Sequence, residues 1–204
     1  MACVIFGAGS YYGLRHRPEP NDYIIAADGG WKYCQQEGIV PDLLLGDFDS
    51  LMQVPDFDHI HRVPVEKDDT DMMLAIKEGL ARGQREFHLY GGMGGTRSDH
   101  TLANMQSLLY LTCRGAHGWL YGDREQYTAI RNESVTFAAR DQGILSVFCM
   151  GADAEGVSIS GAQYSLRDAV LTAGFPLGVS NHFMGDPVTV TVGSGSLLIG
   201  LLDK

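Results

Sequence analysis

Short apolar runs alternate with stretches of helical period through the first half of the chain. Each run is closed by glycine or polar residues, a pattern typical of β-strands. The predicted strands are 2–6, 23–27, 43–45, 59–63, 86–90 and 117–121. Helices are predicted over residues 31–37, 69–81 and 98–112. This alternation predicts an α/β fold with an open, mostly parallel sheet.

The two longer helices each have an apolar face, which predicts the side that they bury. The predicted inward residues are Met72, Met73, Ile76 and Leu80 in the first of them, and Leu102, Met105, Leu108 and Leu109 in the second. Both helices are therefore expected to pack against the sheet.

After Asp123 the pattern changes to short β-rich runs separated by Gly, Asn and Asp, and no helix is predicted. Strands are predicted over residues 127–131, 135–138, 144–150, 188–192 and 197–202. The polar and aromatic segment 180–183 is typical of a turn. Strands at this spacing predict a small antiparallel sandwich or half-barrel. We therefore expect an α/β domain over residues 1–124 and a small all-β domain over residues 125–204.

The chain of 204 residues has a formal net charge of −10 and no basic run, which argues against nucleic acid or an anionic membrane as a partner. Its four cysteines lie far apart and have the spacing of neither a zinc site nor a disulfide framework. The N-terminus does not resemble a signal peptide, and no apolar stretch approaches the roughly 18 residues of a membrane span. These features predict a cytoplasmic protein with reduced thiols.

Four segments rich in acid or glycine follow predicted strands or precede predicted helices, where open α/β sheets bind ligands. They are residues 28–30, 46–50, 67–71 and 91–100. Asp47 and Asp49 can converge on one hard cation, and Asp71 can complete a magnesium site. The alternative is that these aspartates form turns or cap helices.

The glycines at positions 91, 92, 94 and 95 leave backbone amides unobstructed before the predicted helix that begins at Ser98. Arg97 would add a fork of donors for phosphate oxygens. The segment is therefore predicted to bind phosphate, although glycine clusters also form simple loops.

A second glycine pattern favours another class of enzyme. Gly7, Gly9 and Gly13 after the first strand, with Asp28 after the second, resemble the fingerprint of dinucleotide-binding folds. The third glycine of that fingerprint is replaced by Tyr12, whose side chain would obstruct close helix packing. A nicotinamide-dependent oxidoreductase is thus an alternative, but it leaves the other aspartates unexplained.

Five segments, in the same order and with similar spacing, resemble the thiamine pyrophosphokinase family. They are Asp28 to Gly30, Pro41 to Ser50, Lys67 to Asp71, Gly92 to Asn104 and Gly178 to Asn181. The resemblance covers nearly the whole chain and implies an α/β nucleotide-binding domain, a following β-sandwich and a homodimer. The implied reaction transfers pyrophosphate from ATP to the hydroxyl of thiamine, giving thiamine diphosphate and AMP.

The resemblance also implies roles for individual residues. Asp47, Asp49 and Asp71 would hold Mg²⁺ on the triphosphate. The residues that would line the nucleotide and phosphate site are Asp28, Thr70, Arg97 and Asp99, and those that would reach thiamine from the partner subunit are Ser180 and Asn181.

For the chemistry we expect in-line attack on the β-phosphorus, with Arg97 stabilising the developing charge. Asp71 and Asp99 are the candidate proton acceptors. A non-catalytic thiamine- or nucleotide-binding protein is the remaining alternative. The set of acids weighs against it, because carboxylates around an anionic ligand are unfavourable unless a metal is recruited.

Overall fold

A computed structural model describes residues 1–46, 57, 59–62 and 68–203 of the chain. The predicted magnesium ligands Asp47 and Asp49 lie outside the described residues. The chain divides into two compact units, one formed by Met1–Ser107 and Gly118–Asp123, the other by Leu108–His117 and Arg124–Lys204. The second unit thus takes in residues 108–117, which are predicted to lie in the first domain.

The first unit is a parallel sheet with helices. Its elements are β1 (Cys3–Phe6), β2 (Tyr23–Ala27), α1 (Trp31–Glu37), β3 (Leu43–Gly46), β4 (Ile60–Arg62), α2 (Asp71–Ala81), β5 (Glu86–Tyr90), most of α3 (Ser98–Thr112) and most of β6 (His117–Tyr121). The sheet order is β6-β5-β1-β2-β3-β4, and the pairs β5–β1, β1–β2, β2–β3 and β3–β4 are parallel. The predicted α/β class with an open, mostly parallel sheet is confirmed.

The central strands of this sheet are buried along their length because both faces are covered. All four residues of β1 and of β3 are buried. Inside, the ring of Phe6 stacks on Tyr90 at 5.5 Å, and Tyr90 stacks on Tyr121 at 4.6 Å between ring centroids. The packing fixes the carboxyl ends of β1 and β5 next to each other.

The buried face of α3 differs from the predicted one. Leu102 was expected to point inward, but it is 53% exposed. The buried residues of this helix are Asn104, Ser107, Leu108, Leu111 and Thr112. Polar side chains can occupy this face because they are hydrogen-bonded: Asn104 Nδ2 donates to Gly92 O at 2.7 Å and Ser107 Oγ to Ala103 O at 3.0 Å.

The second unit consists mainly of two antiparallel arrangements of strands. Its strands are β7 (Glu125–Arg131), β8 (Ser134–Phe137), β9 (Ile144–Cys149), β10 (Ala154–Ser160), β11 (Leu166–Leu171), β12 (Gly178–His182), β13 (Val188–Thr191) and β14 (Ser196–Leu202). Four of them follow the order β12-β9-β14-β7, and the other four form a sheet of order β11-β10-β13-β8. The predicted all-β character of this half is confirmed.

The strands β10, β11 and β12 are not predicted from the sequence, and the prediction of a turn at residues 180–183 is wrong. Residues 178–182 form β12, which pairs with β9 through Asn181 opposite Leu145 and His182 opposite Ile144. Glycine, serine and asparagine have low β-propensity, so tertiary pairing rather than local preference makes this strand.

Of the helices in the described part of the chain, none combines the length and the apolar character that a bilayer crossing requires.

Candidate active site

A cavity of about 950 Å³ lies in the first unit, lined by the segments that follow β1, β2 and β5 and by the beginnings of α2 and α3. Ligands bind at this edge of open α/β sheets. The predicted site residues Asp28, Thr70, Asp71 and Arg97 all line this one cavity, together with the loop from Gly91 to Gly95. Segments far apart in sequence thus meet at one cavity, whereas Asp99 is not among the residues that line it.

Two glycine segments touch each other in this cavity. Gly7 N donates to Tyr90 O at 2.8 Å, and Gly9 N donates to Gly91 O at 2.8 Å. A Cβ atom on Gly91 would lie 2.2 Å from Gly7 O, and Gly91 has a φ of 63°. Only glycine satisfies both the contact and the backbone angle. Two of the three glycines that resemble a dinucleotide fingerprint, Gly7 and Gly9, are therefore explained by backbone packing, whereas a Cβ atom on Gly13 would meet nothing within 4 Å.

Helix α2 begins at the cavity with a capped N-terminus. Thr70 is the capping residue, and its Oγ accepts a hydrogen bond from Met73 N at 3.2 Å. Asp71 is the first helical residue, and Asp69 accepts a hydrogen bond from Lys77 Nζ at 2.5 Å. The positive end of the helix dipole therefore faces a ligand in the cavity.

Asp28 is a buried acid with an unusual backbone conformation. It is 9% exposed and has a φ of 48° in the 3-10 turn that directly follows β2. Gly46, the last residue of β3, lies against it: a Cβ atom on Gly46 would be 3.1 Å from Asp28 Cα. Strand β3 therefore ends beside Asp28, and Asp47 and Asp49 follow from that point in the sequence.

Four carboxylates line the cavity. Asp28, Asp68, Asp69 and Asp71 all line it, and oxygen ligands are those that Mg²⁺ takes in proteins. Among residues 1–46, 57, 59–62 and 68–203, no group of three or more His, Cys, Asp or Glu residues is arranged to hold a metal ion. By its chemistry the acid set fits magnesium, but the three predicted ligands are not all described, and the metal site stays a prediction.

Arg97 and Asp99 form an ion pair at the start of α3. Arg97 Nε lies 2.9 Å from Asp99 Oδ1, and its Nη2 lies 2.6 Å from Oδ2. The guanidinium lowers the pKa of Asp99 to about 2, and the carboxylate raises the pKa of Arg97. Both side chains are exposed, so a phosphate in the cavity can also reach the guanidinium.

Two polar residues of the cavity are not predicted from the sequence. Tyr33 donates its hydroxyl to Gly9 O at 2.6 Å and stacks on Tyr11 at 4.6 Å between ring centroids. Asn104 is 6% exposed and donates to Gly92 O. The available signal for Asn104 was its helical spacing to Leu108 and Leu111, which places it on the face that α3 buries.

In the second unit, β12 carries the predicted thiamine contacts. Ser180 is exposed, has a φ of 63° and donates its backbone N–H to Ser146 Oγ at 3.1 Å. Asn181 is buried, donates to Tyr164 O at 2.7 Å and accepts from Tyr164 N at 2.9 Å. Asn181 thus fixes the backbone of Tyr164, whose side chain is 63% exposed. Direct contacts of Ser180 and Asn181 with thiamine stay predictions.

Two family models match the chain. The model described as "Thiamin pyrophosphokinase, catalytic domain" matches residues 14–117, and "Thiamin pyrophosphokinase, vitamin B1 binding domain" matches residues 134–197. A curated relative, the thiamine pyrophosphokinase of Bacillus subtilis (strain 168), is 26% identical over 186 residues, covering 86% of this chain and 85% of the relative.

Solved structures share the fold. A thiamine pyrophosphokinase from Bacillus subtilis superimposes with a TM-score of 0.87 at 21% identity over 100% of both chains. A thiamin pyrophosphokinase from Geobacillus thermodenitrificans gives 0.86 at 23% identity, covering 100% of this chain and 98% of the other. The thiamin pyrophosphokinase from Candida albicans gives 0.77 at 13% identity, covering 99% and 90%. The predicted combination of an α/β part with an all-β part is confirmed.

The alternative of a nicotinamide-dependent oxidoreductase is not supported, since Gly7 and Gly9 are accounted for by their packing against Gly91. The catalytic-domain model alone spans half of the chain, and the vitamin B1-binding model covers most of the remainder. The chain therefore belongs to the thiamin pyrophosphokinase family and is an enzyme of that type.

Proposed function

We propose that the chain transfers the pyrophosphoryl group of ATP to the hydroxyl of thiamine, giving thiamine diphosphate and AMP. The observation that carries the proposal is one cavity in which a glycine loop, the capped start of α2, Arg97 and several carboxylates meet. Backbone amides, a helix N-terminus and a guanidinium attract phosphate. Carboxylates beside them are favourable when a divalent cation lies between the two anionic groups.

In this proposal the α/β domain, residues 1–124, binds ATP. The phosphates lie along the loop from Gly91 to Gly95, with Arg97, Thr70 and Asp28 in the same cavity wall. Asp99 does not line the cavity and acts through its ion pair with Arg97. Arg97 keeps guanidinium N–H groups for phosphate oxygens while Asp99 fixes its orientation, because an arginine side chain has five donors.

Magnesium is the cation that we propose, held by Asp47, Asp49 and Asp71. Asp71 begins α2 at the cavity, and β3 ends beside Asp28 immediately before Asp47 in the sequence. A bound ion there would neutralise charge on the triphosphate. The carboxylates would hold that ion, while the glycine loop and Arg97 would orient the phosphates that react.

The transfer is written as an in-line displacement. The thiamine hydroxyl oxygen forms a bond to the β-phosphorus, the bond from that phosphorus to the oxygen of AMP breaks, and AMP leaves with the electron pair. The hydroxyl proton passes to a carboxylate. Asp71 and Asp99 are the two candidate acceptors. A pKa of about 2 makes Asp99 a weak base near neutral pH, and coordination of magnesium would make Asp71 a poor base as well, so positioning of the reactants would supply much of the rate.

We propose that thiamine is bound by the all-β domain, residues 125–204, within which the vitamin B1-binding model matches. The side chain of Asn181, the residue after Ser180, holds the backbone of Tyr164. The ring of Tyr164 is exposed, and an aromatic ring of this kind can stack on thiamine. Exposed apolar side chains at Phe175 and Leu177 suit burial against a second copy of the chain. A homodimer, in which Ser180 and Asn181 reach thiamine from the partner subunit, is therefore part of the proposal.

A cytoplasmic location is proposed from the cysteines. All four are free thiols, and two of them, Cys3 and Cys34, are buried. Unpaired cysteines are ordinary in a reducing compartment.

A product assay tests the reaction. Purified protein is incubated with ATP, thiamine and Mg²⁺, and the products are resolved with an EDTA control. AMP and thiamine diphosphate are expected together, and EDTA should abolish both. ADP with thiamine monophosphate would mean simple kinase chemistry instead, and no turnover would favour a non-catalytic binding protein.

A further inference from the structure

Asn104 is a buried polar side chain of the cavity to which the proposed reaction gives no role. Its side chain lines the cavity and is 6% exposed. Its Nδ2 group donates to Gly92 O at 2.7 Å. A backbone carbonyl oxygen only accepts hydrogen bonds, so the amide nitrogen must face Gly92 and Oδ1 is the other end of the group.

Oδ1 of Asn104 receives no hydrogen bond from any residue that the structure describes. This oxygen is not among the enclosed side-chain atoms that lack a partner, so it is open to the cavity. Because Asn104 belongs to the wall of the cavity, a ligand can supply that donor. The carbonyl end of this amide is thus a preformed acceptor for a ligand.

The surroundings of Asn104 indicate which ligand group fits. Phosphate is unsuitable, because its oxygens would face another acceptor. The donors suited to phosphate belong to residues 94–97, which are exposed, whereas Gly92 and Met72 beside Asn104 are buried. Met72 Cε would lie 3.4 Å from a Cβ atom on Gly92 and 2.7 Å from one on Gly7, so this part of the wall is apolar. A neutral hydroxyl fits there better than a charged group.

We propose that Asn104 Oδ1 accepts a hydrogen bond from a ribose hydroxyl of the nucleotide. The inference rests on the proposed use of ATP, whose neutral hydroxyl donors are those of the ribose. The same amide fixes Gly92 through its nitrogen. One side chain therefore joins recognition of the sugar to the position of the loop that is proposed to bind phosphate.

Deoxynucleotides test this contact directly. Dissociation constants for ATP, 2′-deoxy-ATP and 3′-deoxy-ATP are measured by titration calorimetry in the presence of Mg²⁺, for the wild type and for Asn104→Ala. We expect one deoxynucleotide to bind the wild type about tenfold more weakly than ATP, and all three to bind the variant within about twofold of one another.

Ser107→Ala is the matched control. Ser107 is buried on the same face of α3, bonds Ala103 O, and is not among the residues lining the cavity. It should keep the wild-type ratio of ATP to deoxynucleotide affinity. A second variant, Asn104→Leu, has a side chain of similar volume but no hydrogen-bond acceptor. It is measured together with Asn104→Ala so that a folding defect in one variant does not decide the result.

The outcomes separate this inference from the proposed function. A wild type that does not discriminate, or Asn104 variants that keep the discrimination, would overturn the ribose contact while leaving ATP as the substrate. Protein that binds no ATP at all would overturn both. Because binding requires neither thiamine nor turnover, the test also holds if the product assay detects no transfer.

Discussion

The Arg97 guanidinium donates to both carboxylate oxygens of Asp99, over 2.9 and 2.6 Å, although only one residue separates them in the chain. Both side chains are about two-thirds exposed, and the pair lies at the start of α3. Its consequence is that Asp99 keeps its negative charge throughout the neutral range, because its pKa is lowered to about 2.

Replacing Asp99 with Asn is predicted to lower kcat/KM without changing the shape of the pH–rate profile. The lowered pKa means that the ion-pair contribution is present above the ordinary carboxyl pKa of 3.8 and is lost only as the pH falls through about 2. An assay between about pH 5 and 9 therefore detects no titration of Asp99. Arg97→Ala should cost more, on the order of 100-fold in kcat. Loss of the acid limb in Asp99→Asn would show that Asp99 is the proton acceptor.

Asp47→Asn is predicted to reduce turnover at least about tenfold while the protein remains folded, because one oxygen ligand of the proposed magnesium site loses its charge. The measurement is kcat at saturating ATP across a range of Mg²⁺ concentrations, with circular dichroism as the check on folding. Asp186→Asn, on an exposed loop of the second unit, is the control. Turnover near the wild-type value would refute the metal assignment.

Gly91→Ala should destabilise the protein much more than Gly83→Ala. Both glycines have positive φ, 63° and 83°, but a Cβ atom on Gly91 would lie 2.2 Å from Gly7 O, whereas one on Gly83 would meet nothing within 4 Å. We expect about 1 kcal/mol for Gly83→Ala from backbone strain alone, and about 3 kcal/mol or more for Gly91→Ala. Denaturant unfolding measures both. If both variants lose the same free energy of unfolding, the protein accommodates the Cβ atom between the two glycine segments at little cost.

Tyr164→Ala is predicted to raise KM for thiamine about tenfold with no change in the free energy of unfolding, because its ring is exposed and is proposed to contact the ligand. Asn181→Ala should raise the same KM and also reduce stability by about 1–3 kcal/mol, since the N–H and carbonyl of Tyr164 lose their partner. Val170→Ala, exposed on β11, is the control. An unchanged KM in Tyr164→Ala would remove this ring from the proposed thiamine site.

His88 is predicted to make the protein less stable in mild acid. Its Nδ1 lies 2.8 Å from the Tyr121 hydroxyl, and burial together with nearby His16 lowers its pKa. Below the ordinary pKa of 6.5, the unfolded chain takes up a proton that the folded chain does not yet bind, so the free energy of unfolding falls as the pH falls. The melting temperature of His88→Asn should therefore drop less than that of the wild type between about pH 7.5 and 5.5. If the melting temperatures of the wild type and of His88→Asn drop equally over this pH range, His88 is excluded as the cause.

The strands and helices that could be predicted are those whose buried residues form a regular apolar pattern along the sequence. The bounds of β2, β5 and β6 agree with the predicted ones because each strand ends in buried residues that are followed by a glycine or an aspartate. Strand β12 could not be predicted, because Gly178, Ser180 and Asn181 acquire their extended conformation from pairing with β9.

The site residues, like the elements of the fold, could be predicted only in part. Acidic and glycine-rich loops are visible in sequence, and Asp28, Thr70, Asp71 and Arg97 do share one cavity. Asn104 has only a weak signal, its helical spacing to Leu108 and Leu111, because asparagine is mostly an exposed residue type. Its burial depends on a single carbonyl oxygen, that of Gly92, which only the folded chain brings within reach.

The contact between Gly7 and Gly91 bears on the order of events in folding. It joins the end of the first strand to a loop that the ribosome produces much later, and closing so long a segment is slow compared with forming a helix. A chain released before β5 is made would lack one wall of the cavity, whatever local structure it had gained. Nucleotide binding should thus emerge late during synthesis, once β5 has added to β1, and would serve as a reporter of that step.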